Sequence, residues 1–282
     1  MTPTGDDAQA KAQDIGVTEI KLKHIEAARK AKKRFVLWVA LVWVVIFALL
    51  LIVFRQFNLD FKFMLKYLPF IMKGVGTTVY ISILSIISAC ILALFGALGR
   101  LSKNPIFYGV ATFYISVVRG TPLIVQVFVI YLGLPQMGII IDAVPAGIIA
   151  LGVNYGAYMT EIFRAGIQSI GRGQIEAAHS LGMTYGQMMK RVVLPQALRL
   201  TIPPTGNEFI AMLKDSALVN FLGVWELFFR AVKIGRQNFK SMETLIIAGL
   251  FYWLVTIFFQ YFQSRLETRM AKGTRKATGM GH

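Results

Sequence analysis

The sequence predicts an all-α integral membrane protein with about six transmembrane helices, and three observations support this fold class. Of the 282 residues, 56% are hydrophobic and only 16% are charged, whereas soluble domains average about 25% charged residues. Apolar segments follow one another along most of the chain, and positive charge is concentrated in two flanks, at 21–34 and 265–276. Such a chain cannot cover its surface with polar groups, so a lipid bilayer is the environment that it fits.

The first predicted span is the unbroken apolar stretch from Phe35 to Phe54. Its length matches a hydrocarbon core of about 30 Å at about 1.5 Å per residue. A secretory signal peptide has a shorter core, of about 7–15 residues, followed by a small-residue cleavage site, whereas the bulky Arg55-Gln56-Phe57 follows here. We therefore predict an uncleaved helix over 35–54, preceded by a basic cytoplasmic flank over 1–34.

Five further spans are predicted from the apolar segments that follow. They cover about 69–98, a helix that begins at Thr121, about 145–167, a segment that begins at Pro203-Pro204, and about 245–262. Both chain ends are then inside, because predicted inside segments hold 19 Lys and Arg residues and outside segments hold 8. The basic cluster over 230–240 is an exception to this charge bias, because it lies in a segment that is predicted to be outside.

The helix that begins at Thr121 has local signals for its start. Thr121 is a good N-cap and Pro122 suits the first helical position. Arg119 then lies just before the helix, as a structural anchor at the inner membrane boundary. The alternative is one span over 106–134 with Arg119 buried at its centre, where a charge costs about 2.5–3.5 kcal/mol or more.

Polar residues within two predicted spans are the candidate substrate pathway. Asn154, Tyr158 and Glu161 are spaced i, i+4, i+7 and share one helix face, while Gly152 and Gly156 form a close-packing pair on another. A carboxylate within a span is a functional hypothesis by default; the alternative for Glu161 is a structural ion pair with Arg164.

The span after Pro203-Pro204 is too polar to face lipid. We assign Asn207 and Glu208 to the pathway and Lys214 and Asp215 to structural roles, with mutual pairing inside the bundle as the alternative for all four.

Several function classes are disfavoured. Cys90 is the only cysteine, and the three histidines lie far apart in sequence, so no metal site is predicted. Nucleic-acid binding would need a folded domain that presents the basic charge with base-reading groups. No nucleophile, general base and orienting group can be placed together, which disfavours a membrane enzyme. The chain also has no G-x-x-x-x-G-K-[ST] phosphate loop.

The polar insert over 168–201 has an ordered pattern of helix signals. Residues 174–181 favour a helix, and Gly182 can adopt the left-handed conformation that ends it. Thr184 and Gln187 form a capping-box pattern for a second helix, which Pro195 interrupts or kinks. The sequence thus predicts a short exposed helix, held at a fixed angle beneath the membrane.

This insert resembles the EAA motif of ATP-binding cassette (ABC) importer permeases. The residues that carry the resemblance are Glu176-Ala177-Ala178, then three residues and Gly182, then nine residues and Val192-x-Leu194-Pro195. Three further blocks resemble the branch that takes up polar amino acids such as histidine, glutamine, glutamate and arginine. They are Arg119-Gly120-Thr121-Pro122, Gly156-Ala157-Tyr158 with Glu161, and Leu213-Lys214-Asp215-Ser216.

The resemblance covers about residues 69–265, the expected permease domain, followed by a basic cytoplasmic tail over 266–282. It implies two permease subunits, identical or related, in a bacterial cytoplasmic membrane, an external binding protein that delivers the amino acid, and two cytoplasmic ATPase subunits. ATP and magnesium would bind to those partners, with no cofactor in this chain. Glu176, Ala177, Ala178 and Gly182 would receive the ATPase, and Pro195 would be structural.

The main alternative function is a secondary transporter or channel, which would not need the EAA helix; an exporter on the same fold is a further one. The sequence does not name the amino acid.

Overall fold

The computed structural model describes the backbone of residues 5–277 and the side chains of 29–53 and 55–270. The chain divides into two compact units, Met1–Leu59 and Asp60–His282, and each is described by itself. Residues 1–4 of the predicted basic flank and 278–282 of the predicted tail lie outside the described residues.

The first unit contains the helix α1 (Gly5–Arg55). Its segment Arg29–Val53 is long and apolar enough to cross a membrane. The predicted flank and the predicted first span lie on this one helix, because residues 21–54 contain no glycine or proline to interrupt it. The assignment of the two parts to cytoplasm and membrane stays a prediction.

The second unit is a bundle of helices joined by short connections. In chain order they are α2 (Phe61–Met72), α3 (Gly74–Leu101), α4 (Pro105–Gly120), α5 (Leu123–Gln136), α6 (Ala143–Gln168), α7 (Arg172–Ser180), α8 (Tyr185–Met188), α9 (Leu194–Asp215), α10 (Leu227–Gln237) and α11 (Ser241–Ala277). A π-helical turn, Met189–Val193, joins α8 to α9, and a 3₁₀ helix, Ser216–Leu222, follows α9.

Helix α6 is the centre of the bundle and packs most closely against α3. A Cβ on Gly152 would come within 2.1 Å of Ser88 Oγ, and a Cβ on Gly96 within 2.3 Å of Thr160 Oγ1. Only glycine allows these approaches, and small residues are what helices use to pack where lipid gives no hydrophobic drive. The predicted close packing at Gly152 is thereby confirmed, and it fixes the opposite face of α6 towards α5 and α9.

Among the described residues, three helical segments are long and apolar enough to span a membrane: Arg29–Val53, Phe61–Leu101 and Ser241–Met270. The bent pair α4–α5 makes a fourth if it counts as one span. Helices α6 and α9 lie inside the bundle and carry polar residues, which lowers their hydropathy. Lipid-facing hydropathy is not required of a helix that other helices cover.

The predicted break near Thr121 exists, but its details differ. Helices α4 and α5 meet at 109°, because Thr121 and Pro122 are both extended (ψ 144° and 138°). Thr121 is the C-cap of α4 and does not N-cap α5; its hydroxyl donates to Val117 O at 2.9 Å. Arg119 accordingly lies in the last turn of α4.

The predicted start at Pro203-Pro204 is wrong, because α9 begins at Leu194, whereas the predicted interruption or kink at Pro195 coincides with a π-helical turn. Pro195 lies in the first turn of α9, and the preceding π-helical turn accommodates it: the Leu194 N–H reaches the Met189 carbonyl, five residues back. Pro203 and Pro204 lie inside α9. Gln263 of α11 donates to the Pro203 carbonyl at 2.6 Å, so α11 contacts α9 at the proline pair.

After the 3₁₀ helix and a short non-helical stretch over 223–226, α10 and α11 form an antiparallel hairpin. Glu226, fully buried, caps α10 by accepting from Phe228 N and Phe229 N, and it also accepts from the Tyr252 hydroxyl of α11 at 2.8 Å. The close approach of Gly235 to Thr244 holds the other end of the hairpin together.

The turn of this hairpin is a Schellman-type helix end. Lys240 N donates to Gly235 O at 2.9 Å, and Phe239 N donates to Arg236 O. Phe239 occupies the left-handed position with φ 54°, where glycine is usual and another residue costs about 1–2 kcal/mol.

Candidate functional site

A polar cavity of about 560 Å³ opens where the α4–α5 break meets α6 and α9. The break contributes Arg119, Gly120, Thr121, Pro122 and Leu123; α6 contributes Asn154, Tyr155 and Tyr158; and α9 contributes Glu208 and Asp215. The sequence blocks around 119–122, 154–158 and 207–216 are far apart in the chain, and the fold brings part of each to one place.

The side chain of one glutamine stabilises the break between α4 and α5 by hydrogen bonds. Gln126 Nε2 donates to the carbonyls of Val118 and Thr121, at 2.7 and 3.1 Å, and to the Thr121 hydroxyl at 2.9 Å. Its other amide atom, Oε1, accepts from Asn154 Nδ2 at 3.1 Å. Gln126 therefore satisfies backbone groups freed by the bend and fixes the bend against α6. Sequence reasoning missed Gln126, although a polar residue one turn after a helix break was a usable signal.

Charges of both signs line this cavity. The Arg119 guanidinium stacks on the Tyr158 ring, 5.0 Å from its centroid. Asp215 Oδ2 accepts from the buried Tyr155 hydroxyl at 2.7 Å. Within the described residues, Arg119 forms no salt bridge and Glu208 accepts no hydrogen bond from protein. A cation and a carboxylate with bonding capacity left over can hold the two ends of a zwitterion by charge-assisted hydrogen bonds.

Glu161 lies in a separate network, although it shares a helix face with Asn154 and Tyr158. Its Oε1 accepts from Arg100 Nε of α3 at 3.3 Å, and its Oε2 accepts from Arg164 Nη2 at 2.6 Å. Arg100 also donates to Thr112 of α4 at 2.8 Å. The structure therefore favours the alternative reading of Glu161, a structural ion pair, because two guanidiniums draw it away from the cavity.

The four polar residues predicted on α9 also divide, two of them lining the cavity and two lying elsewhere on the helix. Glu208 and Asp215 face the cavity, while Asn207 and Lys214 are exposed on other faces of α9 and do not line it. Residues 207 and 208 are adjacent on a helix and point about 100° apart, and in α9 only Glu208 of the two is directed into the cavity. A structural role was predicted for Asp215, and its hydrogen bond with Tyr155 agrees with such a role. Its position also places it in the lining of the cavity.

The predicted helix–break–helix pattern of the 168–201 insert is present. Glu176, Ala177 and Ala178 lie on α7, and Gly182 ends that helix in the left-handed conformation with φ 69°. Met183 N donates to Ala178 O at 3.1 Å, which closes the turn. Thr184 and Gln187 form the predicted capping box at the start of α8.

This segment carries its own small core and an exposed outer face. Ala178 is buried against a cluster with Ile170, Met188, Val193 and Ala197. Glu176 and Ala177 are exposed, and so are two large apolar side chains, Leu181 and Tyr185, at 75% and 69%. A rigid segment with an exposed apolar face is suited to docking a partner. Sequence reasoning missed Leu181 and Tyr185.

Comparison with known proteins identifies the family. Residues 85–272 match the family described as "Binding-protein-dependent transport system inner membrane component". The chain belongs to this family. It is therefore the membrane permease component of an ABC importer, as the EAA resemblance implied.

Curated relatives of this family agree over nearly their whole length. The chain is 40% identical over 214 residues to the arginine transport system permease protein ArtQ of Bacillus subtilis, covering 76% of this chain and 98% of the relative. It is 39% identical over 209 residues to the L-cystine transport system permease protein TcyB of the same organism, covering 74% and 89%.

Solved structures confirm the permease fold. A chain from the crystal structure of an amino acid ABC transporter with histidines is 42% identical, with a TM-score of 0.71 over 75% of this chain and 99% of that chain. A chain of the MetNI methionine ABC transporter, 20% identical with a TM-score of 0.61 over 71% and 95%, shares the fold.

Proposed function

We propose that this permease carries polar amino acids across a bacterial cytoplasmic membrane and that the cavity between α4–α5, α6 and α9 is its substrate site. The observation that carries the proposal is the pair of opposite charges, Arg119 and Glu208, that line one cavity without pairing in the described chain. Arg119 would bind the substrate carboxylate, and Glu208 with Asp215 would bind the ammonium group. The names of the relatives, which include arginine and cystine systems, support this substrate class.

The energy for transport would come from two partner ATPases, which bind ATP and magnesium and dock on the exposed face of α7 and α8. We assign docking to Glu176, Ala177, Ala178 and Gly182, together with Leu181 and Tyr185. A second permease subunit completes the pathway, and both chain termini lie in the cytoplasm. An external binding protein delivers the amino acid on the opposite side.

Reconstitution tests the function and its runner-up together. The permease, its ATPase and a substrate-loaded binding protein are placed in proteoliposomes, and uptake of each labelled polar amino acid is measured. We expect uptake that requires ATP and all components. Uptake by the permease alone, driven by an ion gradient, would instead establish a secondary transporter.

The charge assignment has its own test. In Arg119→Gln, the half-saturating substrate concentration for uptake should rise by about 10- to 100-fold, the range for losing a hydrogen bond to a charged group. Arg164→Gln is the matched control, because Arg164 lies outside the cavity in the Glu161 network. Equal effects of the two changes on half-saturation would contradict the assignment.

A further inference from the structure

The tip of the α10–α11 hairpin presents an aromatic side chain that the described chain does not use. Phe239 is 97% exposed and sits in the left-handed position of the turn. Glycine or asparagine would fit this position with less strain. Phenylalanine is thus disfavoured both by its backbone conformation and by its exposure, and no packing within the described residues compensates. Strained residues of this kind cluster at functional sites.

A stripe of cations leads to the same tip. Arg230, Lys233 and Arg236 are spaced three residues apart on α10, so they share one side of that helix, and Lys240 follows in the turn. Lys233 and Arg230 lie over the Trp225 ring, 4.0 and 5.5 Å from its centroid. Arg236 is exposed and forms no ion pair among the described residues. The surface beside Phe239 is therefore positively charged, and Arg236 is the cation there that no described carboxylate compensates.

The location of the tip favours contact with a protein rather than with lipid. Lys240 pairs with Asp60, and Asp60 N donates to Glu243 at 3.4 Å. This polar cluster lies between Phe239 and the apolar part of α11, which begins at Leu245. An aromatic ring that inserted into hydrocarbon would have to carry the charged cluster towards the membrane with it, which is costly.

We propose that Phe239 and the adjacent cationic stripe form the docking surface for the external binding protein, which would present acidic groups around an apolar recess. The proposal rests on the proposed function and on the predicted topology, in which residues 230–240 lie on the outer side. An exposed aromatic anchor beside an uncompensated arginine is typical of an interface centre, with Phe239 as the anchor and Arg236 as the steering charge.

The test uses the complete transporter in nanodiscs and measures ATPase activity against the concentration of substrate-loaded binding protein. Phe239→Gly removes the ring and relieves the backbone, so it should fold at least as well as the wild type. Arg236→Glu reverses the charge. Lys103→Glu, the same change in the exposed α3–α4 connection, is the matched control. Phe239→Trp keeps an aromatic anchor.

We expect Phe239→Gly and Arg236→Glu to raise the half-saturating binding-protein concentration by roughly tenfold or more, with an unchanged maximal rate. Phe239→Trp and Lys103→Glu should match the wild type. Salt should raise half-saturation for the wild type and much less for Arg236→Glu.

Unchanged half-saturation in both variants, with a stimulated wild type, would overturn the docking surface and leave the proposed function standing. The docking surface would also be overturned if the ATPase activity of the variants differed from the wild type only in its dependence on the fraction of anionic lipid in the nanodisc. A wild type that no binding protein stimulates would remove the proposed function and this proposal with it.

Discussion

Two polar clusters lie about one helical turn apart on α6, and they differ in how their charges are paired. In the cavity, Arg119 and Glu208 come from different helices and form no salt bridge in the described chain. In the Glu161 network, Arg100 and Arg164 both bind the same carboxylate. Shared position on one helix face therefore does not decide the role of a charge: Glu161 has its bonding capacity taken up by two arginines, and the proposed pathway depends on charges whose capacity is left free.

The largest expected effect is on the cavity side. Glu208→Gln keeps the shape of the side chain and removes its charge. We expect uptake at low substrate concentration to fall by about 10- to 100-fold, because a hydrogen bond to a charged group contributes about 1.5–3 kcal/mol. Labelled uptake in proteoliposomes measures it. Normal uptake would mean that the unpaired carboxylate has no part in binding.

The same substitution in the other cluster should act on stability. Glu161→Gln leaves Arg100 and Arg164 without their carboxylate, and we expect a loss of roughly 1–3 kcal/mol in unfolding free energy. Thermal unfolding of purified protein in detergent should show a lower Tm, while the half-saturating substrate concentration stays within about twofold of the wild type. A large rise in half-saturation with an unchanged Tm would reverse the comparison.

The smallest effect is expected at an ion pair on the surface, Asp60 with Lys240. The Lys240 side chain, with the backbone N–H of Phe63, lowers the pKa of Asp60 below its ordinary value of 3.8. The stabilising contribution is therefore complete above pH 3.8 and is lost as the pH falls through the lowered folded-state pKa.

In Lys240→Gln we expect a slightly lower Tm at neutral pH, and a difference from the wild type that shrinks on acidification below that range. Thermal unfolding as a function of pH measures it. A difference that grows at low pH would contradict the assigned pairing.

Much of the architecture could be predicted from the sequence, because local signals set it. Gly182, the capping box at Thr184 and the close packing at Gly152 depend on neighbouring residues or on residue size alone. The pairing of Glu161 with Arg100 joins residues 61 positions apart, and no spacing rule within one helix indicates it. Gln126 was missed although its partners Val118 and Thr121 are near it in sequence, because their carbonyls become available only through the bend at 121–122.

The prolines of α9 show a second limit. The local sequence predicts a helix break or kink at Pro195 and a helix start at Pro203-Pro204, which is the usual effect of proline. In the structure the chain stays helical from Tyr185 to Asp215, with a π-helical turn before Pro195 and a contact from Gln263 to the Pro203 carbonyl. Such support comes from tertiary structure, which the local sequence does not contain.

The continuity of this helix has a mechanical consequence. From Tyr185, on the exposed face of the 168–201 insert, to Glu208, at the cavity, the chain stays helical through the π-helical turn, over about 35 Å at about 1.5 Å per residue. The π-helical turn and the pair Pro203-Pro204 are the two places where this segment bends most readily, because helices kink at π-bulges and prolines. We therefore expect the transmission of a displacement from Tyr185 to the Glu208 carboxylate to depend on those two places.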